Sequence, residues 1–318
     1  MRPGADEASG GPVGVLVGLA TLDLVLGVER LPAPDEKVVA TSQELAAGGP
    51  AATAAVAFAW AGGRPRLLTV LGTHPLARAV AADLRGRGVT LVDAEPGREA
   101  PPTVAAILRT DATGQRAVVS RTDRDVPPPT GVDASGSLLA GAGIVLADGH
   151  HLSLAEPVLH AARRAGIPVL LDAGSWRPAF ATLLPLADVV VASAAFRPPA
   201  IAPDPDAILA DLLARGALVA ARTDGPGPIR WRDAAGAAGS IDVETVDVVD
   251  TLGAGDILHG VMAAVLATHA PGGPPATGHI VKALVEGARV ASASCASHGT
   301  RAWLEDRIAP PGRRDRPS

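Results

Sequence analysis

Tyrosine is absent from this sequence, and three Phe and four Trp are all the aromatic residues it holds. A surface that stacks on single-stranded nucleic acid or on flat sugar faces needs more than that. The single cysteine, Cys295, excludes an intrachain disulfide and a cysteine zinc cluster. Lysine is nearly missing as well: only Lys37 and Lys282 occur, and Arg carries the remaining positive charge. The totals of 28 basic and 33 acidic residues give a net charge of −5 and no reason to expect a nucleic-acid partner. With so much Ala, Gly and Pro, this composition reads as a GC-rich coding bias. No run of about 18 apolar residues occurs, so no membrane span is expected. The polar start MRPGADEASGGP lacks the apolar stretch of a signal peptide. A cytoplasmic protein is the expectation.

What is present is a rhythm of short apolar runs and Ala/Leu-rich helical patterns over 318 residues. The runs predict strands at 13–19, 66–72, 143–148, 167–173, 187–192 and 217–222. Helices are predicted at about 50–62, 75–87, 153–165, 205–215, 254–269 and 277–297. Apolar strands alternating with helices imply an α/β fold: a mostly parallel sheet covered on both faces. Such sheets bind ligands at the carboxyl ends of their strands. Residues 22–46 and 103–122 break the rhythm with β-like patterns around turns, the second at Asp111-Ala112-Thr113-Gly114. They predict a small antiparallel layer, either a lid over the strand ends or two surface hairpins.

The segment VDVVDTLGAGDILHG (246–260) concentrates the chemistry. Small residues at Gly253, Ala254 and Gly255 let a ligand approach the backbone. At a helix start the first N–H groups lack intrahelical acceptors and favour an anion, so these three could cradle a phosphoryl group. Asp256 then stands beside that anion, where the useful task is accepting a proton from an attacking hydroxyl. An ordinary helix start, with Asp250 or Thr251 as N-cap, reads the same residues without function.

A second motif, AAGGPAATAAVAFAWAGG (46–63), places a Gly pair before a small-residue helix. Together with DTLGAGD it closely resembles the ribokinase-like sugar kinases, the PfkB carbohydrate kinase family, from about Val13 to about Ala309. The resemblance implies a central sheet with a β lid inserted at 22–46 and 103–122, all within residues 12–309. Tails at 1–11 and 310–318 are expected to be disordered. The N-terminal half looks most like the ketohexokinase branch, in the spacing from Asp23 through Asp35 and TSQ (41–43) to Gly48-Gly49.

By that resemblance Asp23, Asp35, Gly48, Gly49 and Thr53 face the acceptor sugar, and Arg116 reaches in from the lid. Thr223, Gly225 and Gly227 line the nucleotide, with Gly299 at the end of the helix that packs around adenine. ATP and Mg²⁺ are the implied cofactors. Asp250, with carbonyls near Leu252 and from Ser294 to Gly299, resembles a monovalent-cation loop, although Trp303 stands where a Ser would help. A homodimer through the lid is the implied assembly. Three departures are evident. The branch's Gly-Gly-Asn-x-x-Asn reads Gly48-Gly49-Pro50-Ala51-Ala52-Thr53 here, and its Gly-Asp-Asp reads Gly72-Thr73-His74. Ser193-Ala194-Ala195-Phe196 replaces Asn-x-x-Glu.

The reaction implied is ATP-dependent phosphorylation of a hydroxyl on a small sugar or sugar derivative. A nucleoside kinase on the same fold is the first alternative; the scarce aromatics speak against it, since a base wants stacking. A non-catalytic sugar-binding regulator is the second, motivated by the lost amides and opposed by the intact DTLGAGD. Of the remaining polar residues, Asp148 ends a strand where it could touch substrate. His150-His151 make a poor chelate, because neighbours on a strand point to opposite faces.

Overall fold

The computed structural model describes residues 10–111, 115–122, 136–269, 273–305, 308 and 310–311. Most of each expected tail, and the hairpin turn at 112–114, lie outside the described residues.

The large sheet is built from β1 (Val13–Val17), β4 (Arg64–Thr69), β5 (Thr90–Asp93), β8 (Ala142–Ala147), β9 (Val169–Ala173), β10 (Val189–Ala192), β11 (Val219–Asp224), β12 (Gly227–Asp233) and β13 (Ala238–Ile241). Their order is β13-β12-β11-β10-β9-β8-β1-β4-β5. All pairs are parallel except the last two, β11–β12 and β12–β13. The unbroken apolar runs follow from burial on both faces. In β1, Leu16 joins one core cluster while Val15 and Val17 join the other. The first cluster packs under α1 (Pro50–Trp60), α2 (Pro75–Gly86), α6 (Ala254–His269) and α7 (Thr277–Ser294). The second packs under α3 (Leu152–Arg164), α4 (Ala179–Leu183) and α5 (Pro205–Ala214).

The six predicted strands and six predicted helices are all present, with small boundary shifts. The strand expected at 66–72 is over by Thr69, because the Leu71 and Gly72 N–H groups turn to the Asp93 carboxylate. The short strands β5 and β13 and the five-residue α4 lie below the length at which a period is visible.

The poly-alanine helix α1 is explained by close helix approach. A Cβ on Gly260 of α6 would lie 2.2 Å from the Ala54 carbonyl oxygen and 2.8 Å from Ala57 Cβ. A Cβ on Gly287 of α7 would lie 2.6 Å from the Leu258 carbonyl oxygen. The helices α1, α6 and α7 therefore pack nearly backbone to backbone, and only small residues permit it.

From β1 the chain builds outward through β4 to β5, then returns to the other side of β1 with β8 and continues to β13. The topological switch point thus falls between β1 and β8, the expected position of a ligand crevice. Gly18-Leu19 at the end of β1, Asp148 at the end of β8 and the start of α1 meet there.

Above this crevice lies the small sheet: β2 (Thr21–Val28), β3 (Ser42–Gly48), β6 (Thr103–Thr110) and β7 (Arg116–Ser120), in the order β3-β2-β6-β7. Its two outer pairs, β3–β2 and β6–β7, are antiparallel, and a parallel β2–β6 pairing joins them. The register sorts its side chains by period 2. Asp23, Val25, Glu44, Ala105, Ile107, Arg109 and Arg116 share one face. Val25, Ala105 and Ile107 close on Leu252 of the DTLGAGD segment, so this face points inward as a lid. The other face carries Leu24, Leu45, Ala106 and Val119 in one cross-strand row.

Candidate active site

Asp256 lies in the first turn of α6, part-buried at the mouth of the crevice. Gly253 adopts φ 77°, a left-handed conformation that favours glycine, and thereby turns the chain into the helix. The Gly253, Gly255 and Asp256 N–H groups have no backbone acceptor among the described residues, whereas Ala254 N–H turns back to the Thr251 oxygen at 3.3 Å. The open cradle is therefore Gly253, Gly255 and Asp256, and the Ala254 donor expected from the sequence is engaged. This is what a helix start leaves over, and it suits an oxyanion.

Thr53 of α1 is beside it: a Cβ on Gly253 would sit 3.3 Å from the methyls of Thr53 and Thr300 and 3.9 Å from Asp256 Oδ2. Asp23 is buried on the lid's inner face, its carboxylate pressed against Gly48, where a Cβ would come within 2.0 Å of Oδ2. Burial raises its pKa, partly opposed by the Thr21 hydroxyl, which donates to it at 2.5 Å. Gly49, at φ 90°, abuts the Leu19 carbonyl and starts α1. Asp23, Gly48, Gly49, Thr53 and Asp256 therefore converge.

Asp35 does not join them. It stands exposed in the loop between β2 and β3, in a left-handed conformation at φ 61°. Arg116 is exposed on the inner face of β7 and donates to Thr251 Oγ1 at 2.5 Å, not to Asp23 or Asp35. Asp148 also behaves differently from the sequence expectation. Its Oδ2 accepts the Leu19 and Ala51 N–H groups at 2.8 and 3.1 Å, and its Oδ1 accepts His150 N–H at 2.9 Å. Through these three bonds the one carboxylate clamps β1, β8 and α1 together. His150 and His151 form no chelate: His150 is buried beside Asp148, and His151, at φ 52°, precedes α3.

Two groups escaped the sequence reading. Asp172 ends β9 in the crevice, and His259 lies one helical turn after Gly255. His259 Nδ1 is 2.7 Å from the Gly255 oxygen, which can only accept, and 3.5 Å from Asp172 Oδ2. Burial lowers the His259 pKa, and its Nε2 lies 3.4 Å from the Val191 oxygen, so both ring nitrogens face carbonyl acceptors. Asp172 is pushed up to about 8, by burial first and the Asp148 charge second. Asp256 is pushed up to about 8 by burial and then by Asp172, with His259 opposing. Carboxylates held this far above their ordinary range occur at proton-transfer sites and in buried ion networks alike. A carboxylate closing an apolar run (IPVLLDA) was the available signal for Asp172.

Where the nucleotide was expected, β11 and β12 form a two-residue hairpin with Asp224 paired to Gly227. Gly225 takes φ 58° and Pro226 follows, the φ pattern of a type II′ turn. Thr223, Gly225 and Gly227 thus lie on the expected strand-turn-strand. Gly299 has other contacts: its N–H donates to Asp250 Oδ2 at 3.0 Å, and a Cβ there would meet the Glu44 carboxylate at 2.4 Å. Trp303 is buried against Trp60, edge to face at 5.1 Å, and its Nε1 donates to the Thr300 oxygen. At the Asn-x-x-Glu position, Ser193 Oγ donates to the Gly174 carbonyl. Among the described residues no group of three His, Cys, Asp or Glu side chains is arranged to hold a metal, and no helix is long and apolar enough to cross a membrane.

Comparisons with known proteins agree with this fold. The model of the pfkB family carbohydrate kinases matches residues 14–307. Solved structures of similar fold include ribokinase from Giardia lamblia, at 18% identity and TM-score 0.79, covering 92% of this chain and 96% of that one. Arabidopsis thaliana ribokinase, complexed with ribose and ATP, aligns at 21% identity and TM-score 0.73 over 93% of this chain and 98% of its own. Xylella fastidiosa fructokinase with bound ATP aligns at 21% identity and TM-score 0.66 over 90% and 93%. At these identities the likeness establishes the fold, and the family match extends over the strands, the lid and the Asp256 helix alike. The chain belongs to the pfkB family of carbohydrate kinases.

Proposed function

We propose that this protein transfers the γ-phosphoryl group of ATP to a hydroxyl of a small sugar or sugar derivative, with Asp256 as the base. The observation that carries this reading is Asp256 itself, a carboxylate of raised pKa set among the open N–H groups of Gly253, Gly255 and its own residue. Asp256 takes the proton from the acceptor hydroxyl as its oxygen attacks the γ-phosphorus, and the N–H groups hold the charge on the transferring group. Asp23, Thr53 and the Gly48-Gly49 backbone hold the acceptor. Thr223, Gly225 and Gly227 line the nucleotide. Mg²⁺ accompanies ATP through phosphates and water. The spacing of Asp23, Asp35 and Gly48-Gly49 supports kinship with the ketohexokinase branch. An ATP-consumption screen over ketoses, aldoses, their acidic derivatives and nucleosides tests the reading. A nucleoside as sole acceptor, or no acceptor at all, would count against it.

The acceptor we favour is a modified or acidic sugar. Pro50 and Thr53 stand where the branch has amides, so recognition of a neutral sugar by side-chain amides is lost. Arg116 remains, and beyond its bond to Thr251 its guanidinium is free, among the described residues, for bidentate binding of a carboxylate or sulfonate. Arg116→Ala is expected to raise KM roughly tenfold or more for an anionic acceptor while leaving neutral sugars little changed. Equal losses on both, or fructose outperforming every acidic sugar in the wild type, would refute the preference.

Assembly is proposed as a homodimer through the lid's outer face. Leu45 is 59% and Val119 74% exposed there, in one row with Leu24 and Ala106. A contiguous apolar sheet face of this kind is a candidate contact surface. Sedimentation at micromolar concentration should give a dimer, and Val119→Asp should yield a monomer. A wild-type monomer across that range would sink the proposal.

A further inference from the structure

The inner face of the lid ends in two arginines. Arg109 and Arg116 are direct cross-strand partners, a like-charge pairing that destabilises unless each finds an acceptor. Arg116 takes the Thr251 hydroxyl. Arg109 is 7% exposed, and its Nε lies 3.6 Å from Oδ2 of Asp250, itself 3% exposed. Arg109 Nη1 donates to His298 Nδ1 at 2.7 Å, and Nη2 is 3.7 Å from Asp111 Oδ1. No hydrogen bond satisfies Arg109 Nε, so its attraction to Asp250 is Coulombic. Across this contact a lid strand meets the residue that opens the DTLGAGD turn.

A monovalent cation in the loop near Asp250 needs a ring of available oxygens. The Cys295 oxygen already accepts Val249 and Asp250 N–H, the Ser294 oxygen accepts Ser297 N–H, and the Thr251 oxygen accepts Ala254 N–H. The Thr300 oxygen accepts Trp303 Nε1. Asp250 accepts Leu252 N–H at Oδ1 and Gly299 N–H at Oδ2. The charge that such an ion would neutralise already faces a guanidinium, and a second cation beside it would be repelled in a buried setting. The guanidinium is what sets these residues against the ion, not a lack of oxygens, since the Leu252, Ala296 and Gly299 carbonyls accept no backbone hydrogen bond among the described residues.

We propose that Arg109 is the fixed counter-ion of Asp250, replacing a monovalent cation, and that through Asp250 it positions the Leu252 N–H and hence the anion cradle when the lid is closed. Its consequence for turnover rests on the kinase reading; the ion pair itself does not. Arg109 touches no reacting atom and is a positioning residue.

The test compares the full chain in potassium chloride and in N-methylglucamine chloride at equal ionic strength, by melting temperature and by turnover. Wild type should melt and turn over alike in both. Arg109→Ala should melt lower and lose roughly tenfold or more in kcat, a fraction of what deleting an oxyanion donor costs. Potassium or guanidinium should restore part of both losses, and Arg109→Lys should keep most of the activity. Potassium-specific activation or stabilisation of wild type would overturn the proposal. So would an Arg109→Ala protein equal to wild type, or one weakened alike in both salts with no rescue by either cation. If Arg109→Ala does not fold, Arg109→Lys and Arg109→Gln carry the comparison: Lys should remain potassium-independent and Gln should acquire a potassium response. A protein with no sugar acceptor would fail the kinase reading alone, since the melting response still reports the ion pair.

Discussion

Asp256→Asn is expected to lower turnover by roughly 100-fold or more while leaving ATP binding nearly intact. The amide keeps the size of the side chain but cannot accept the hydroxyl proton. The same change should raise stability at mildly alkaline pH, and this separates a catalytic role from a structural one. Asp256 is held up to about 8 in the folded chain, against an ordinary value of about 4 unfolded. Between those values folding takes up a proton, so stability falls as pH rises through the window, and above it the full cost of the buried charge is present. Asn carries no such charge, so the variant should melt higher than wild type near pH 8 and the gap should close towards pH 4. Wild-type kcat/KM should rise with pH towards about 8 as the base ionises, a limb missing from any residual activity of the variant. Thermal melts and a pH–rate profile check both. An Asn variant that retains most of its turnover on the true substrate would remove Asp256 from the mechanism.

Asp148→Ala should be strongly destabilising. Its carboxylate is 2% exposed and accepts three backbone N–H groups, from Leu19, Ala51 and His150. Each is a charge-assisted bond, and truncation leaves three buried donors unpaired at the junction of β1, β8 and α1. The combined loss is about 4 kcal/mol or more, a fall of at least about 6 °C in melting temperature for a chain of this length. Asp148→Asn keeps one carbonyl oxygen and should lose about half as much. No ligand is needed to see either effect, so circular dichroism melts suffice. A melting temperature unchanged in Asp148→Ala would mean that the clamp is dispensable.

The Asp256 helix was legible because its signals are local: a glycine pair, a carboxylate at a helix start and an apolar run lie within a few residues of one another. The same held for the Thr223–Gly227 hairpin, whose turn chemistry is written in Asp224-Gly225-Pro226-Gly227. Asp35 and Gly299 were implied by the family resemblance, from their places along the chain. Spacing along a chain does not say that Asp35 stays out in its loop while Asp23 folds under the lid, or that Gly299 yields its N–H to Asp250. Arg109 sits at the period-2 position after Ala105 and Ile107, so its inward face was readable, but its partner is 141 residues away in sequence at Asp250.

The sequence by itself determined the class of fold, the order of its elements and the residue we propose as the base. Apolar periodicity and helix-start chemistry are properties of neighbouring residues and survive without tertiary contacts. Only the tertiary structure decided what each long-range carboxylate does. Asp148 became a clamp because the switch point brings three backbone donors to it. Asp172 and Asp256 became weak acids because burial in one crevice raises the free energy of a carboxylate, and neighbouring negative charge raises it further. Asp250 acquired a guanidinium because the lid's register sets Arg109 above it. Burial and Coulomb energy depend on distances between segments far apart in the chain, and only folding sets those distances.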